Sequence, residues 1–220
     1  RGIEVISVTD TETPRTPDSI FPNNWISFDP QGQVVLYPMF APNRRSERRL
    51  EITDIIEKQG HPVQNIIDFS FWEEENVFLE GTGSMILDRK NGIAYAALSQ
   101  RTDKSVFLQY CETFGFQPVA FTANHWVDGQ RKPVYHSNVM LCVADEYAVV
   151  CAETIDDEQE RTSLLDTLRS SGKTLIEITE SQMRQFAVNM LQLANSHGER
   201  FLVMSQAAFL SLTQQQRLQL

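Results

Sequence analysis

The sequence predicts an α+β fold built as a β/α propeller, a single catalytic domain over residues 1–220 that this chain carries incompletely. Three observations lead there. Strand-like and helix-like patterns alternate along the whole chain. The alternation recurs as hairpin, helix, strand with a period of roughly 45–60 residues, which suits a radial or stacked array better than one wound sheet. Each of the first three units ends its helix on a glycine, at Gly60, Gly115 and Gly172. The same alternation also allows an ordinary α/β sandwich.

The elements follow in order. Ile3-Glu4-Val5-Ile6-Ser7-Val8 reads as a strand already under way. Residues 25–28 and 33–37 are apolar or alternating runs split by Asp29-Pro30-Gln31-Gly32, the spacing of a hairpin. A helix over 45–59 stops at Gly60 and Pro62. In the second unit, strands 77–87 and 93–98 flank a turn at 88–92, helix 103–114 stops at Gly115, and strand 118–122 follows. In the third, strands 137–144 and 148–152 form a hairpin, helix 156–171 stops at Gly172, and strand 174–178 follows. A fourth unit opens with helix 181–196 and strand 201–205. Thr213 then stands as the N-cap of a further helix. The chain starts without Met and stops as that helix begins, so it reads as the middle of a longer protein.

Composition excludes several classes of function. The 220 residues are 41 % hydrophobic and carry a net charge of −10, with both signs interspersed. That argues against nucleic acid or an anionic membrane as the main partner. No apolar run approaches the ~20 residues of a membrane span, and no signal segment opens the chain. Cys111, Cys142 and Cys151 are an odd set without paired spacing. A disulfide framework or zinc site is therefore not expected, and a reducing cytoplasm is.

Two residues stand where acid–base chemistry needs them. Glu80 closes an apolar run and enters Gly81-Thr82-Gly83-Ser84, where glycines let backbone approach a ligand. A carboxyl among apolar neighbours can shuttle protons; it can equally cap the glycine turn. His136 opens the apolar run Val139-Met140-Leu141-Cys142-Val143, a position suited to an acid or base, or to a satisfied boundary histidine. Around them lie candidate binding residues. The loop 16–25 gathers Asp18, Asn23 and Asn24, either as turn formers or as hydrogen-bonding partners of a polar, cationic or urea-like ligand. Arg44 and Arg45 lie in a basic island whose forks suit carboxylates, although a solvated helix start would also place them there. Arg101 follows a strand and is a second carboxylate candidate. Asn189 is a polar residue on an apolar helical face, where a buried amide needs partners. His61 and His197 adjoin helix-ending glycines, and His125 lies in a polar loop without an assigned role. The cysteines sit in apolar or mid-helix contexts that favour packing over reactivity.

These motifs together resemble the guanidine-modifying superfamily of arginine deiminase, dimethylarginine dimethylaminohydrolase and glycine amidinotransferase. In particular, the chain is similar to the bacterial amidinotransferase-related group that includes citrulline-utilization hydrolases. The stretches that carry the likeness are 16–25, 35–49, 78–89, 97–102, 136–141 and 186–193, spread over essentially the whole chain. The resemblance implies a five-bladed propeller of the pentein type with a Cys–His–Glu/Asp site at its centre. It implies attack by a cysteine on an amidino or ureido carbon, with histidine protonating the leaving amine and then activating water. Glu80 matches the family acid, His136 the histidine, Asp18 the carboxylate at the substrate's nitrogen end, and Arg101 with Arg44 or Arg45 the substrate-carboxylate arginines. It implies a small amino-acid substrate of citrulline or arginine type, no metal or cofactor, and admits a homodimer.

Three departures qualify the likeness. Asn23 and Asn24 stand where relatives often have acids, which tilts the substrate towards neutral ureido compounds. The Gly81-Thr82-Gly83-Ser84 segment lacks the acid that many relatives carry three residues after the match to Glu80. No Gly-rich segment with the family nucleophile is present in the sequence. The leading expectation is thus a C–N hydrolase whose nucleophilic cysteine lies outside this chain. An amidinotransferase, or a non-catalytic binding module on the same fold, is the alternative.

Overall fold

The computed structural model describes residues 2–220. The first unit holds β1 (Ile26–Phe28), β2 (Gln33–Leu36), α1 (Glu51–Lys58) and β3 (Asn65–Asp68). β1 and β2 form an antiparallel hairpin with Ile26 opposite Leu36. α1 crosses over, and β3 pairs in parallel with β2, Asn65 opposite Gln33. The second unit repeats this plan after one helical turn, α2 (Gly81–Ser84). It holds β4 (Ile86–Asp88), β5 (Ile93–Leu98), α3 (Lys104–Phe114) and β6 (Gln117–Thr122). A separate hairpin follows, β7 (Asn124–Val127) and β8 (Gln130–Pro133). The third unit is β9 (Leu141–Val143), β10 (Tyr147–Val150), α4 (Glu158–Ser170) and β11 (Thr174–Glu177). Then come α5 (Glu180–Met183), the hairpin of β12 (Leu191–Ala194) and β13 (Arg200–Val203), α6 (Gln206–Ser211) and α7 (Gln214–Gln219). The fold is α+β, with one three-stranded topology used three times.

The local sequence explains the plan. In each three-stranded sheet the second strand is central. A central strand covered on both faces reads as an unbroken apolar run, as in Ile93-Ala94-Tyr95-Ala96-Ala97 and all of β10, which are buried. Asp103 and Asp157 cap α3 and α4 by accepting from the first free backbone amides. Gly115 ends α3 at φ 72, a left-handed conformation that glycine adopts without strain. One apolar core joins units one and two through Tyr37, Leu79, Met85, Phe107 and Tyr110. Another joins units two and three through Phe121, Met140, Val149 and Leu164. A buried ion pair adds to the second junction. Lys173 Nζ lies 3.0 Å from Asp88 of β4 and donates to the Ala144 carbonyl at 2.9 Å.

Several expectations are corrected. Residues 3–8 form no strand, because no neighbour pairs with them, and Val5 stays exposed. The helix expected over 45–59 divides into a 3-10 segment, Pro42–Glu47, and α1. Arg44 within the 3-10 segment and Arg48 just after it are drawn into ion pairs, with Glu47 and Glu73 respectively. The strand over 77–87 is interrupted by α2, where Gly81 turns the chain at φ 47. The strand over 137–144 keeps only β9, because Ser137–Val139 form a 3-10 turn. The helix over 181–196 is overturned. α5 ends at Met183, Phe186 takes φ 60, and Leu191–Ala194 alternate across a strand paired with β13. Strand pairing outweighs a helical apolar spacing that is only weakly periodic there. His125 lies in β7, whose hairpin turns at Asp128-Gly129 with φ 51 and 74. Asp-Gly is a strong two-residue hairpin signal. No helix among the described residues is long and apolar enough to cross a membrane.

Replacing Lys173 with methionine strands a buried carboxylate. Lys173→Met is expected to lower unfolding free energy by about 3–5 kcal/mol in urea titration. A change below about 1 kcal/mol would show that Asp88 is not held by this pair.

Candidate functional site

α2 and the turn after β8 bring the two acid–base candidates together. Glu80 sits at the N-cap of α2, and its N–H donates to Ser84 Oγ at 2.9 Å and to the Arg101 carbonyl at 3.2 Å. Ser84 Oγ donates in turn to the Arg101 carbonyl at 2.6 Å. His136 is extended and precedes the short Ser137–Val139 turn. Ser137 Oγ donates to the Ser84 carbonyl at 2.5 Å and accepts from Ala97 N–H at 2.7 Å, so one serine fixes His136 against α2 and β5. The glycines make this approach feasible. A Cβ on Gly81 would lie 2.2 Å from the Asn23 carbonyl oxygen. A Cβ on Gly83 would lie 2.4 Å from Asn24 Nδ2 and 3.0 Å from His136 Nδ1.

The result is a buried pair. Glu80 Oε2 lies 2.6 Å from His136 Nε2, with Glu80 wholly buried and His136 5 % exposed. Glu80 Oε1 accepts from Phe40 N–H at 3.0 Å, and Arg101 lies 3.4 Å from Oε2. Burial acts to raise the Glu80 carboxyl, but the His136 hydrogen bond and charge, the Arg101 charge and the Phe40 amide outweigh it, leaving a net shift below the ordinary glutamate value. Burial lowers the His136 imidazole; Glu80 opposes this, while Arg101 and Arg44 add to it, and the net shift is downward. The two directions describe one state, an ionised Glu80 beside a neutral His136. A carboxylate can only accept, so Nε2 carries the proton and Nδ1 presents a lone pair beside Gly83.

Arg101 crosses the mouth of this pair. Its guanidinium is one-third exposed and lies 5.8 Å from the Phe40 ring centroid and 5.5 Å from that of Tyr135. Tyr135 also leans on the His136 ring at 5.0 Å. Arg44 has a different place. It is buried, binds Glu47 through Nε and an Nη, and donates to Asn24 Oδ1 at 2.7 Å and to the Asp18 and Phe21 carbonyls. These bonds make it the internal brace of the 18–24 loop, and its guanidinium is taken up by protein partners. Because Arg44 must face an oxygen, Asn24 turns Nδ2 towards Gly83 and His136. The Asp18 side chain is half-buried and makes no hydrogen bond or ion pair among the described residues. Arg45 donates to the Met39 carbonyl and lies near Glu73 and the Phe78 ring. Asn23 lines a cleft of about 470 Å³ with Ile6, Trp25 and Ile52, while only its carbonyl abuts Gly81. Asn189 corrects an expectation. It is exposed, precedes β12 and lies on no helix, so its amide has water available.

The cysteines are packing groups. All three are buried free thiols whose pKa burial pushes up to about 12, and none hydrogen-bonds His136. No cluster of three or more metal-ligating side chains occurs among the described residues. Sequence reading missed Phe40, Tyr135, Glu73 and Ser137. Glu73 binds Arg48 at 2.6 Å and accepts from Met39 N–H, one residue before the amide that holds Glu80. Only the apolar or polar type of these residues was visible in the chain, not their meeting. A roomier open cleft of about 640 Å³, lined by Trp126, Arg131, Glu153, Asp156, Glu180 and Arg184, lies elsewhere. Its Arg131 is already paired with Asp156 and Glu180, so converging unspent groups mark the site better than volume does.

Both pair members have depressed folded-state pKa values, so unfolding takes up protons. The stability they contribute is full above the unfolded histidine value near 6.5 and is lost as pH falls, first through the His136 value and then through that of Glu80. The imidazole of His136, followed by NMR, is expected to titrate below 6.5, with the unfolding midpoint falling as pH drops from 7 to 5. A titration midpoint above 6.5 would contradict the pair as described.

The chain matches the family described as N,N dimethylarginine dimethylhydrolase, eukaryotic, over residues 1–220. No curated protein sequence matches it. Among solved structures, it is similar to the N-terminal domain of ArgZ, an arginine dihydrolase of the ornithine–ammonia cycle in cyanobacteria, captured with substrate in a cysteine-to-serine mutant. The TM-score is 0.61 at 17 % identity, covering 80 % of this chain and 58 % of that one. AgrE with L-arginine gives 0.61 at 18 % identity, covering 89 % and 26 %. Dimethylarginine dimethylaminohydrolase from Pseudomonas aeruginosa with citrulline gives 0.51 at 18 % identity, covering 80 % and 59 %. At these identities the likeness shows the fold, and the chain spans 58 % of the ArgZ domain and 26 % of full-length ArgZ. The chain belongs to the N,N dimethylarginine dimethylhydrolase family, within the guanidine-modifying superfamily whose motifs it carries.

Proposed function

We propose that the protein hydrolyses a C–N bond in the ureido or guanidino group of a citrulline- or arginine-like amino acid. The observation that carries this reading is the buried 2.6 Å contact of Glu80 and His136, with Nδ1 left as a free base. Glu80 remains ionised and steadies the imidazolium that forms during turnover, as an orienting carboxylate does for a histidine base. His136 Nδ1 takes the proton of the attacking thiol and passes it to the leaving amine as that C–N bond breaks. It then takes a proton from water, whose oxygen attacks the thiouronium- or thiocarbamate-type carbon, and returns that proton to the sulfur as the C–S bond breaks. Cys111, Cys142 and Cys151 are too buried and too weakly acidic for the nucleophile. The proposal therefore draws that cysteine from outside these 220 residues, with the repeated units closing as a five-bladed propeller.

The binding residues favour a ureido substrate. Asn24 has its oxygen committed to Arg44 and offers an N–H beside His136. An N–H donor suits a ureido oxygen and repels the N–H edge of a guanidinium. Asp18, whose carboxylate makes no hydrogen bond among the described residues and lies within reach of the Arg44 charge, accepts from the substrate's nitrogen end, and Arg101 takes the substrate's carboxylate. A purely binding module on this fold would have no need of a wholly buried carboxylate–imidazole pair, whose desolvation is costly.

Full-length protein is expected to release ammonia from citrulline faster than from arginine or methylated arginines. His136→Ala should lower kcat by about 10²–10⁴ while circular dichroism stays native. Unchanged kcat in that variant would remove His136 from the mechanism, and faster turnover of a guanidino compound would overturn the ureido preference.

A further inference from the structure

A cleft of about 280 Å³ lies between the first two units, away from Glu80 and His136. It is lined where Asp29 leaves β1 and Arg89 leaves β4. The 18–24 loop and α2, which build the acid–base site, enter the same two strands from their other ends. The volume falls below the roughly 300–1,000 Å³ of pockets for drug-sized ligands and suits a molecule of amino-acid size.

Two opposite charges line this cleft with unspent atoms. Asp29 Oδ1 accepts from the Gln31 and Gln33 N–H groups at 2.9 and 2.8 Å, which fixes the β1–β2 turn, while Oδ2 accepts no hydrogen bond among the described residues. Arg89 makes no hydrogen bond or ion pair among the described residues. Its backbone is held all the same, because the preceding Asp88 binds Lys173 at 3.0 Å and the Asn91 amide at 2.8 Å. Between the two charges lies an aromatic wall. Tyr110 packs with Phe114 at 4.6 Å and with Phe116 at 6.1 Å, and all three line the cleft. Burial is the main cause that raises the Tyr110 pKa, and the charges of Arg89 and Asp29 also bear on it, in opposite senses. Both groups therefore stand close to one phenol. A guanidinium fork suits a carboxylate, a carboxylate oxygen suits an ammonium, and the rings suit an apolar side chain. Asp29 would repel a simple anion, and Arg89 a simple amine.

Tyr37 joins this cleft to the acid–base pair. It is wholly buried, and its hydroxyl shares a 2.7 Å hydrogen bond with Ser27 of the cleft wall. Its ring lies 6.0 Å from that of Tyr110. The same ring abuts α2, where a Cβ on Gly81 would come within 3.1 Å of it, one residue after Glu80. A close-packed ring passes a displacement on to its neighbours.

We propose that this cleft is a second, non-catalytic site for a zwitterionic α-amino acid with an apolar side chain, held by its carboxylate on Arg89 and its ammonium on Asp29, and that its occupancy is felt at Glu80 and His136 through Tyr37. The inference goes beyond the hydrolase reading and does not depend on it.

The test is calorimetric titration of full-length protein with L-phenylalanine, L-phenylalaninamide and 3-phenylpropionate. The amide masks the carboxylate, and the propionate lacks the ammonium. Phenylalanine is expected to bind saturably, and each of the other two about tenfold more weakly. Arg89→Ala should weaken phenylalanine about tenfold without weakening the amide. Asp29→Asn, which keeps the oxygen that fixes the turn, should weaken phenylalanine about tenfold without weakening the propionate. Arg101→Ala should leave phenylalanine binding within about twofold, because the acid–base site is not the one filled. The NMR signals of the His136 ring should shift with the same midpoint as the heat of binding. No saturable binding, binding that Arg89→Ala does not weaken, binding lost in Arg101→Ala, or binding that leaves the His136 signals unmoved would each overturn the proposal. No turnover is measured, so failure of the hydrolase reading leaves the outcome untouched.

Discussion

A carboxylate with no exposed surface stays ionised only where donors surround it, and Glu80 is such a group. His136 supplies one donor at 2.6 Å, the Phe40 amide another at 3.0 Å, and Arg101 adds charge from 3.4 Å. The three come from different parts of the chain. The rest of the site serves this requirement. Gly81 and Gly83 remove the Cβ atoms that would otherwise keep the Asn23–Asn24 loop and His136 away. Ser84 and Ser137 tie α2, β5 and the His136 turn together through hydroxyl bonds of 2.5–2.9 Å.

The repeated units explain why such distant residues can meet. Each unit buries its central strand and leaves connections at the strand ends, where unspent polar groups collect. Glu80 and Arg101 stand at such connections in the second unit, His136 at the entry to the third, and the 18–24 loop at the entry to the first. Arg44 then stiffens that loop from inside, which leaves the Asn24 amide facing the pair. The family match over the whole chain and the shared fold of ArgZ and dimethylarginine dimethylaminohydrolase agree with this placement of strands.

Much of the unit plan is legible in the sequence because the signals are local. Buried central strands appear as apolar runs, Asp103 and Asp157 announce helix starts, and Gly115 announces a stop. Asp128-Gly129 announces a hairpin just as openly, although the sequence reading passed over it. Glu80, His136 and Arg101 are legible as polar residues at the ends of apolar runs, and the structure brings them within 3.4 Å of one another through Glu80. The approach of Phe40 and Tyr135 to Arg101 is not legible, because it depends on contact between residues far apart in the chain. Arg44 and Asn189 mislead for opposite reasons. Arg44 looks exposed by composition and is buried by its pairing with Glu47, while Asn189 looks helical by spacing and is claimed by the β12 hairpin.

The central claim is that Glu80 fixes the tautomer of His136 and so leaves Nδ1 as the working base. Ring nitrogen-15 shifts of His136 at pH 7.5 measure this directly, with Glu80→Gln as the comparison. The account predicts a neutral ring protonated at Nε2 in the native protein and a mixed or reversed tautomer in the variant. A ring protonated at Nδ1 in the native protein, or one indifferent to the loss of the Glu80 charge, would contradict it.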